Sequence, residues 1–362
     1  MNKSARIIAF HLPQFHPTPE NDEWWGKGFT EWTNVAKAKP LYPGHYQPHV
    51  PADLGFYDLR LPEARHAQAE LAREYGIEGF CYYHYWFGNG RRVLERPVNE
   101  ILASGEPDFP FCLCWANHSW NNIWQGTADR TLIEQTYPGM ADHKQHFEWL
   151  LNAFKDPRYI TVEGKPLFLI FSPMDVPDLP NVMEYWRELA AGAGFAGLYL
   201  VRVNYRMRQD WDPTSVGLDA STWQPLPPKD GHLPTRYIMR KILRFIAGKK
   251  SSLTVYDYAE VMENLIRKSA PNFPDYPTVL PNWDNTPRSN ENGLVLHGST
   301  PELFRKLLRR AFGLIADNPP EKRIIFVKAW NEWAEGNYLE PDQLHGLSYL
   351  NIVKEELTHY EN

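Results

Sequence analysis

The stretch RIIFVKAWNEWAEG, residues 323–336, decides the fold. It opens as an apolar run of β-branched and aromatic residues, then breaks off into two glutamates, Glu332 and Glu335, set among tryptophans. Seven earlier runs have the same character: RIIAF (6–10), GFCYYHYWF (79–87), FCLCWAN (111–117), LFLIFS (167–172), LYLVRVN (198–204), LDASTW (218–223) and PTVLPNW (277–283). Short apolar runs bounded by turn residues predict strands, so residues 323–330 make the eighth. Helical periodicity fills most of the intervals, at 62–76, 141–154, 181–194, 255–269 and 301–318, and again after the last strand at 347–360. No helix shows between the fifth and sixth strands.

Continuous apolar strands alternating with amphipathic helices predict a parallel sheet covered by helices, and eight such units predict an α/β fold, a closed (β/α)8 TIM-type barrel. The competing doubly wound sheet expects a glycine-rich phosphate turn after an early strand, and none stands there. One barrel domain is expected over 1–362, with long excursions at about 13–60 and 224–276. Loops of that length commonly form functional walls or lids.

In such a barrel the chemistry sits at the C-terminal strand ends. Those ends read His11 and Gln14; Tyr83, His84, Tyr85 and Trp86; Trp115, Asn117, His118 and Trp120; Arg202 and Asn204; Trp223; Asn282, Trp283 and Asp284; and Trp330, Asn331, Glu332 and Glu335. The strand beginnings, Ala5, Gly79, Pro110 and Pro166, are plain. Polar and aromatic side chains together suit a polar, flat-faced ligand such as a sugar. For any single tryptophan, packing in a large core is the alternative.

The 362 residues carry 43% hydrophobic and 14% aromatic side chains, with 14 Trp and 19 Tyr, enough for a sizeable core. A formal charge of −6 offers no broad basic surface, which argues against nucleic acid as partner. Cys81, Cys112 and Cys114 lie in apolar strands, an odd number expected to be buried reduced thiols. The N-terminus MNKSARIIAF has no signal-peptide pattern, which leads to the expectation of a cytoplasmic protein. RYIMRKILRFIAGKK at 236–250 sets Ile238, Met239, Ile242, Leu243, Phe245 and Ile246 apart from Arg236, Arg240, Lys241 and Arg244. This basic amphipathic helix either packs on the barrel or makes peripheral contact with an anionic membrane or a lipid-phosphate-linked glycan.

Two carboxyl groups at a strand end meet the positional requirement of glycoside hydrolysis, one protonating the leaving oxygen and one acting as base or nucleophile. Trp330 and Trp333 are expected to desolvate and so raise the pKa of a neighbouring carboxyl. Taken alone, the Glu-x-x-Glu spacing also fits a structural glutamate.

NEWAEG at 331–336 resembles the catalytic motif of glycoside hydrolase family 99, the endo-α-mannosidases. The chain from about residue 6 to 358 resembles more closely the WbsX-type, family 99-like proteins of bacterial polysaccharide gene clusters. The motifs that carry the resemblance are AFHLPQFHP, WWGKGFTEWTNV, GHYQPHVPADLGFYDL, GFCYYHYWF, CWANHSW and KAWNEWAEG. It implies that Glu332 acts as base on the sugar 2-hydroxyl and Glu335 as acid/base, through a 1,2-anhydro sugar and with retention. Such a route requires an α-manno or α-rhamno configuration. It implies no metal or other cofactor, and His11, His84 and His118 show no HExxH-type ligand spacing. Where the hydrolases place His after the motif tryptophan this chain has Ala334, so leaving-group contacts are expected to differ.

The resemblance implies an oligosaccharide or polysaccharide substrate, and their places at the strand ends make His11, Gln14, Tyr83, His84, Trp86, Trp115, Asn117, Trp120, Trp223, Asn282, Asp284 and Trp330 its expected contacts, with Asn331 orienting Glu332. Three activities remain open: hydrolysis of a bacterial surface polysaccharide or its precursor, glycosyl transfer or transglycosylation in O-antigen or capsule biosynthesis, and non-catalytic glycan binding. A conventional nucleotide-sugar transferase fits least, on the reading that the chain carries neither a DxD metal motif nor a Rossmann-like fingerprint, a reading taken up with the fold below.

Overall fold

The computed structural model describes residues 5–121, 131–205, 211–224, 226–227 and 253–361. Eight parallel strands form its centre: β1 (Arg6–His11), β2 (Gly79–His84), β3 (Phe111–Trp115), β4 (Lys165–Ile170), β5 (Tyr199–Asn204), β6 (Ala220–Trp223), β7 (Asp275–Val279) and β8 (Ile324–Val327). Their order is β3-β2-β1-β8-β7-β6-β5-β4, and β4 pairs back onto β3. The sheet is therefore a closed barrel. Closure rests on parallel registers such as Arg6↔Ile324 through Ala9↔Val327 and Leu113↔Phe168 through Trp115↔Ile170.

Because both faces of each strand are covered, the strands are mostly apolar and nearly every residue in them is buried. The rings of Phe10, Tyr83 and Phe326 meet inside, at 5.5 Å from Phe10 to each of the others. Below them the hydroxyls of Tyr199 and Tyr276 lie 2.6 Å apart, and those of Thr222 and Thr278 lie 2.8 Å apart. Cys81, Cys112 and Cys114 are free and buried in β2 and β3.

The outer layer is α1 (Pro62–Glu74), α2 (Arg96–Ser104), α3 (Met140–Phe154), α4 (Leu179–Gly192), α5 (Pro301–Ile315) and α6 (Ser348–Glu361). α2 is a helix the periodicity did not reveal. It is short, carries Pro97 in its first turn, and buries only Pro97, Val98 and Ile101. Between β5 and β6 the described residues hold one 3-10 turn, Pro213–Val216, which agrees with the absence of a helical pattern there.

The helix expected over 255–269 is not formed. Thr254–Asp257 is a strand whose Thr254 and Tyr256 are buried in alternation, and it pairs in parallel with Leu294–His297. One helical turn, Tyr258–Val261, follows, capped by Asp257. Period-2 burial against a neighbouring strand outweighed the helical spacing of the apolar residues. The basic segment 236–250 lies outside the described residues, and among those described no helix is long and apolar enough to cross a membrane.

Two short patterns qualify the reading of the strands. GAGFAG at 192–197 has GxGxxG spacing, but it ends α4 and precedes β5, with Gly194 and Gly197 at positive φ. Its glycines close a helix rather than open one, the reverse of a dinucleotide fingerprint. DWD at 210–212 has DxD spacing; Asp212 accepts from the Thr214 amide at 2.9 Å, capping the 3-10 turn, and Asp210 lies outside the described residues.

The loop after β1 folds back across the β8 end. Its two short helices, Pro19–Trp25 and Glu31–Lys37, carry Trp32 into a second apolar cluster with Phe15, Tyr57, Leu59, Trp333 and Tyr338.

Candidate active site

After β8 the backbone makes a tight hairpin. Asn331 and Glu332 pair with Tyr338 and Asn337, and a 3-10 turn over Trp333–Glu335 joins the two arms. The turn ends on Gly336 at φ +57°, and a Cβ there would lie 2.9 Å from the Asp284 backbone nitrogen. Only glycine meets both conditions without displacing backbone. We expect Gly336→Ala to cost roughly 2 kcal/mol, from left-handed strain plus the clash. A denaturant midpoint equal to wild type would refute this account of the turn.

Trp333 anchors the hairpin from behind. It stacks on Tyr338 at 3.8 Å, and its Nε1 donates to Glu340 at 2.6 Å. Glu340 also accepts from Tyr57 Oη at 2.9 Å and Gln68 Nε2 at 2.7 Å. Burial pushes the Glu340 carboxyl up to about 7, against the pull of those donors. Asn331 acts on the other side: its Oδ1 accepts from the Leu12 amide at 2.8 Å and its Nδ2 donates to the Leu12 carbonyl at 3.0 Å. Asn331 thus imitates a strand partner for the start of the β1 loop, and its side-chain hydrogen bonds go to Leu12, His11 and Tyr57 rather than to Glu332.

Glu332 and Glu335 turn forward to a single guanidinium. Arg288 Nη1 donates to Glu335 at 2.5 Å, and Nη2 donates to Glu332 at 3.1 Å and to Glu31 at 2.9 Å. Three carboxylates from the loops after β1 and β8 thus converge on an arginine from the loop after β7. The side chains of Glu332 and Glu335 keep 11% and 12% exposure, so the pair is reachable, while Glu31 at 3% is sealed behind Arg288.

Burial, and next the charge of Glu335, push the Glu332 carboxyl up to about 8, with Arg288 opposing. Burial also raises Glu31, again against Arg288. The three carboxylates hold the guanidinium's pKa well above its usual value despite its burial. Lys328, one residue past β8, is lowered by burial, with Glu335 and Glu332 opposing.

The strand ends divide by the period-2 alternation of the backbone. Tyr83 and Tyr85 sit within the field of Glu332, which together with burial raises both phenols. Trp120 packs edge-on to Tyr85 at 5.2 Å and against Trp24 at 6.0 Å, forming a wall beside them. Gln14 lies half-buried in the same loop system, and its carbonyl accepts from the Glu31 amide at 3.1 Å.

The opposite parity points to the helices. His84 Nε2 meets His146 Nε2 of α3 at 2.9 Å and stacks on Trp149. Trp86 donates to Asp142 and stacks on His146, and Trp115 is fully buried against His146 and Trp186. His11 is buried against Gln68 of α1 and the rings of Phe80 and Tyr82, which drops its pKa to about 3. Trp330 is fully buried on Phe80. Trp223 lies under the Arg267 guanidinium at 4.1 Å.

Two more expected contacts are engaged elsewhere. Asn117 clamps Ser172, accepting from its amide and donating to its carbonyl, both at 2.7 Å. Asp284 accepts from His45, Gln47 and Thr286. Asn282 is half-buried at the end of the β7 segment, where its Oδ1 accepts from the Trp283 amide. Glu31, Arg288 and Lys328 were not singled out from the sequence. Only Lys328, a charge following a run of apolar strand residues, carried a local signal.

Residues 7–353 match the family described as glycosyltransferase WbsX. The uncharacterized protein WxcX of Xanthomonas campestris pv. campestris strain B100 is 38% identical over 355 residues, which cover 98% of this chain and 50% of that protein. WxcX of a second strain gives the same identity and coverage, so the chain spans about half the length of the curated relatives it matches. Among solved structures, a glycoside hydrolase-like protein is 18% identical with a TM-score of 0.58, covering 98% of this chain and 94% of that one. The GH99 endo-α-mannosidase from Bacteroides thetaiotaomicron in complex with Bis-Tris propane is 12% identical with a TM-score of 0.57, covering 98% and 97%. At such identities the likeness is one of fold. With the family match running from residue 7 to residue 353, nearly end to end, this chain belongs to the WbsX family.

Proposed function

We propose that this protein cleaves or transfers an α-linked, manno- or rhamno-configured glycosyl unit of a bacterial surface polysaccharide or its precursor, with Glu332 and Glu335 as the reacting carboxyl groups. The observation that supports this most is the hairpin itself, which presents both carboxyls at the C-terminal mouth of the barrel on one side of Arg288. Structural glutamates satisfied in the core, as Glu340 is, have no need of such exposure.

In this reading Glu332 takes the proton from the sugar 2-hydroxyl as O2 bonds to C1. The C1–O bond to the leaving group breaks, and Glu335 hands its proton to the departing oxygen. Glu335 then takes a proton from water as the water oxygen attacks C1. The C1–O2 bond opens, and O2 recovers its proton from Glu332. Two inversions at C1 give retention. A sugar hydroxyl in place of water makes the same sequence a transglycosylation, and the family's description as a glycosyltransferase is the reason to test acceptors.

The test is product formation from aryl and natural α-mannosides and α-rhamnosides, with and without oligosaccharide acceptors, following the first-formed anomer by NMR. Glu332→Gln and Glu335→Gln are each expected to lose turnover by about a hundredfold, the usual weight of one acid or base group. Unchanged turnover in either variant, or an inverted first product, would overturn the mechanism. No turnover of any glycoside with glycan binding intact would favour a binding module.

A further inference from the structure

Beside the carboxylates, the ends of β6, β7 and β8 bring together three side chains that the mechanism does not use. Gln224 directly follows β6 and continues its ladder, its amide donating to the Asn204 carbonyl at 2.8 Å. Lys328 directly follows β8, its amide donating to the Val279 carbonyl at the end of β7 at 2.9 Å. Trp283 follows β7, and the Lys328 ammonium lies 5.5 Å from its ring centre. The Lys328 Nζ also meets Gln224 Oε1 at 3.4 Å.

A lysine ammonium can only donate, so that contact fixes the Gln224 amide with its oxygen towards Lys328 and its nitrogen turned away. Gln224 is 2% exposed and Trp283 is 6% exposed. Yet among the described residues neither Gln224 Nε2 nor Trp283 Nε1 has a hydrogen-bond partner. Buried donors are normally satisfied, and a pair left open beside a cation calls for an acceptor from outside the chain. The group offers donors only: an amide N–H, an indole N–H and an ammonium. A neutral sugar presents hydroxyls that both donate and accept, whereas a carboxylate or phosphate accepts only and suits this set.

The geometry points to an anion subsite made by Lys328, Gln224 and Trp283, which receives a carboxylate or phosphate carried by the glycan next to the bond acted upon. Placing that anion on a glycan rests on the proposed function; the anion binding itself does not. Arg288 turns the three neighbouring carboxylates towards itself, while Glu332 and Glu335 still act on Lys328, so anion binding should tighten as Glu332 takes up its proton.

Calorimetric titration of the whole chain with methyl α-glucuronide, mannose 1-phosphate, inorganic phosphate and methyl α-mannoside tests this. At least one anion is expected to bind more tightly than the neutral mannoside. Lys328→Met should weaken that binding by about tenfold or more, the weight of one charge-assisted hydrogen bond. Trp283→Phe keeps the ring and removes the N–H. It should weaken the anion by a smaller factor and identify the indole resonance that the anion shifts in the wild-type NMR spectrum. Preference for the glucuronide names a uronic acid, and preference for the phosphates names a phosphorylated sugar. Equal binding of the neutral mannoside, no anion binding, or an anion affinity unchanged in Lys328→Met would overturn the subsite. Turnover separates the two ideas: anion binding by the wild type without turnover of any glycoside would leave the subsite standing and remove the proposed reaction.

Discussion

Replacing Arg288 by methionine is expected to lower turnover by about 10³ or more and to destabilise the fold by roughly 3–5 kcal/mol near pH 8, the range for removing one partner of a buried ion pair. The guanidinium joins Glu31, Glu332 and Glu335, and without it three carboxylates face one another with little water. They would respond by taking up protons, so the penalty should shrink as the pH falls towards 5. Lysine at this position keeps one charge but cannot reproduce the fork that serves several carboxylates at once, so Arg288→Lys should recover stability better than activity. Adding Glu31→Gln to Arg288→Met removes a buried charge whose main partner is Arg288, and should restore part of the lost stability. Urea unfolding of the four proteins at pH 5 and pH 8 checks the pattern. A methionine variant as stable as wild type at pH 8 would mean that the three-way bridge does not hold the mouth together.

The barrel was legible in the sequence because parallel strands covered on both faces must be apolar along their length. Each observed strand overlaps its apolar run, though β8 stops at Val327 and β7 begins at Asp275. The site was legible only where chemistry and position coincide, at Glu332 and Glu335. Reading strand ends as blocks merged two faces that the backbone separates: Tyr83 and Tyr85 face the carboxylates, while His84 and Trp86 belong to the contact with α3. Alternation alone could have divided them. Arg288 and Glu31 had no such signal. Their partners lie 44 or more residues away in sequence, and only the closing of the β1 and β7 loops over the β8 hairpin brings them together. Asn331 and Asp284 show the converse: polar residues at a strand end that the fold uses to fasten those same loops.

The pH dependence separates the roles of the two glutamates. With Glu332 as base and Glu335 as acid, kcat/KM is expected to be bell-shaped: it rises about tenfold per unit of pH while Glu332 still holds its proton, and falls once Glu335 has lost the proton it must donate. The sign follows from the carboxyl's raised pKa of about 8: below it Glu332 holds the proton it must lack in order to accept one from the 2-hydroxyl. Removing the other carboxyl isolates the sign: in Glu335→Gln the remaining limb rises with pH if Glu332 is the base and falls if it is the acid. Because the pair interacts, each limb reports an apparent constant of the pair, and Glu332→Gln should flatten the rising limb. Stability should run the other way. Between about 4.5, the ordinary carboxyl value, and about 8, the native state holds a proton that the unfolded chain has released, so folding weakens as pH rises through this window. Glu340, at about 7, adds a slope of the same sign. Each unit of displacement is worth about 1.4 kcal/mol, so the two slopes together amount to several kcal/mol. A protein that gains activity over the pH range in which it loses stability is what burying the reacting carboxyl requires, since the desolvation that makes Glu332 a stronger base is paid in folding free energy. Thermal unfolding and kcat/KM measured on the same samples from pH 5 to 8.5 would show the two trends crossing. Parallel trends throughout that range would remove Glu332 from the role of base.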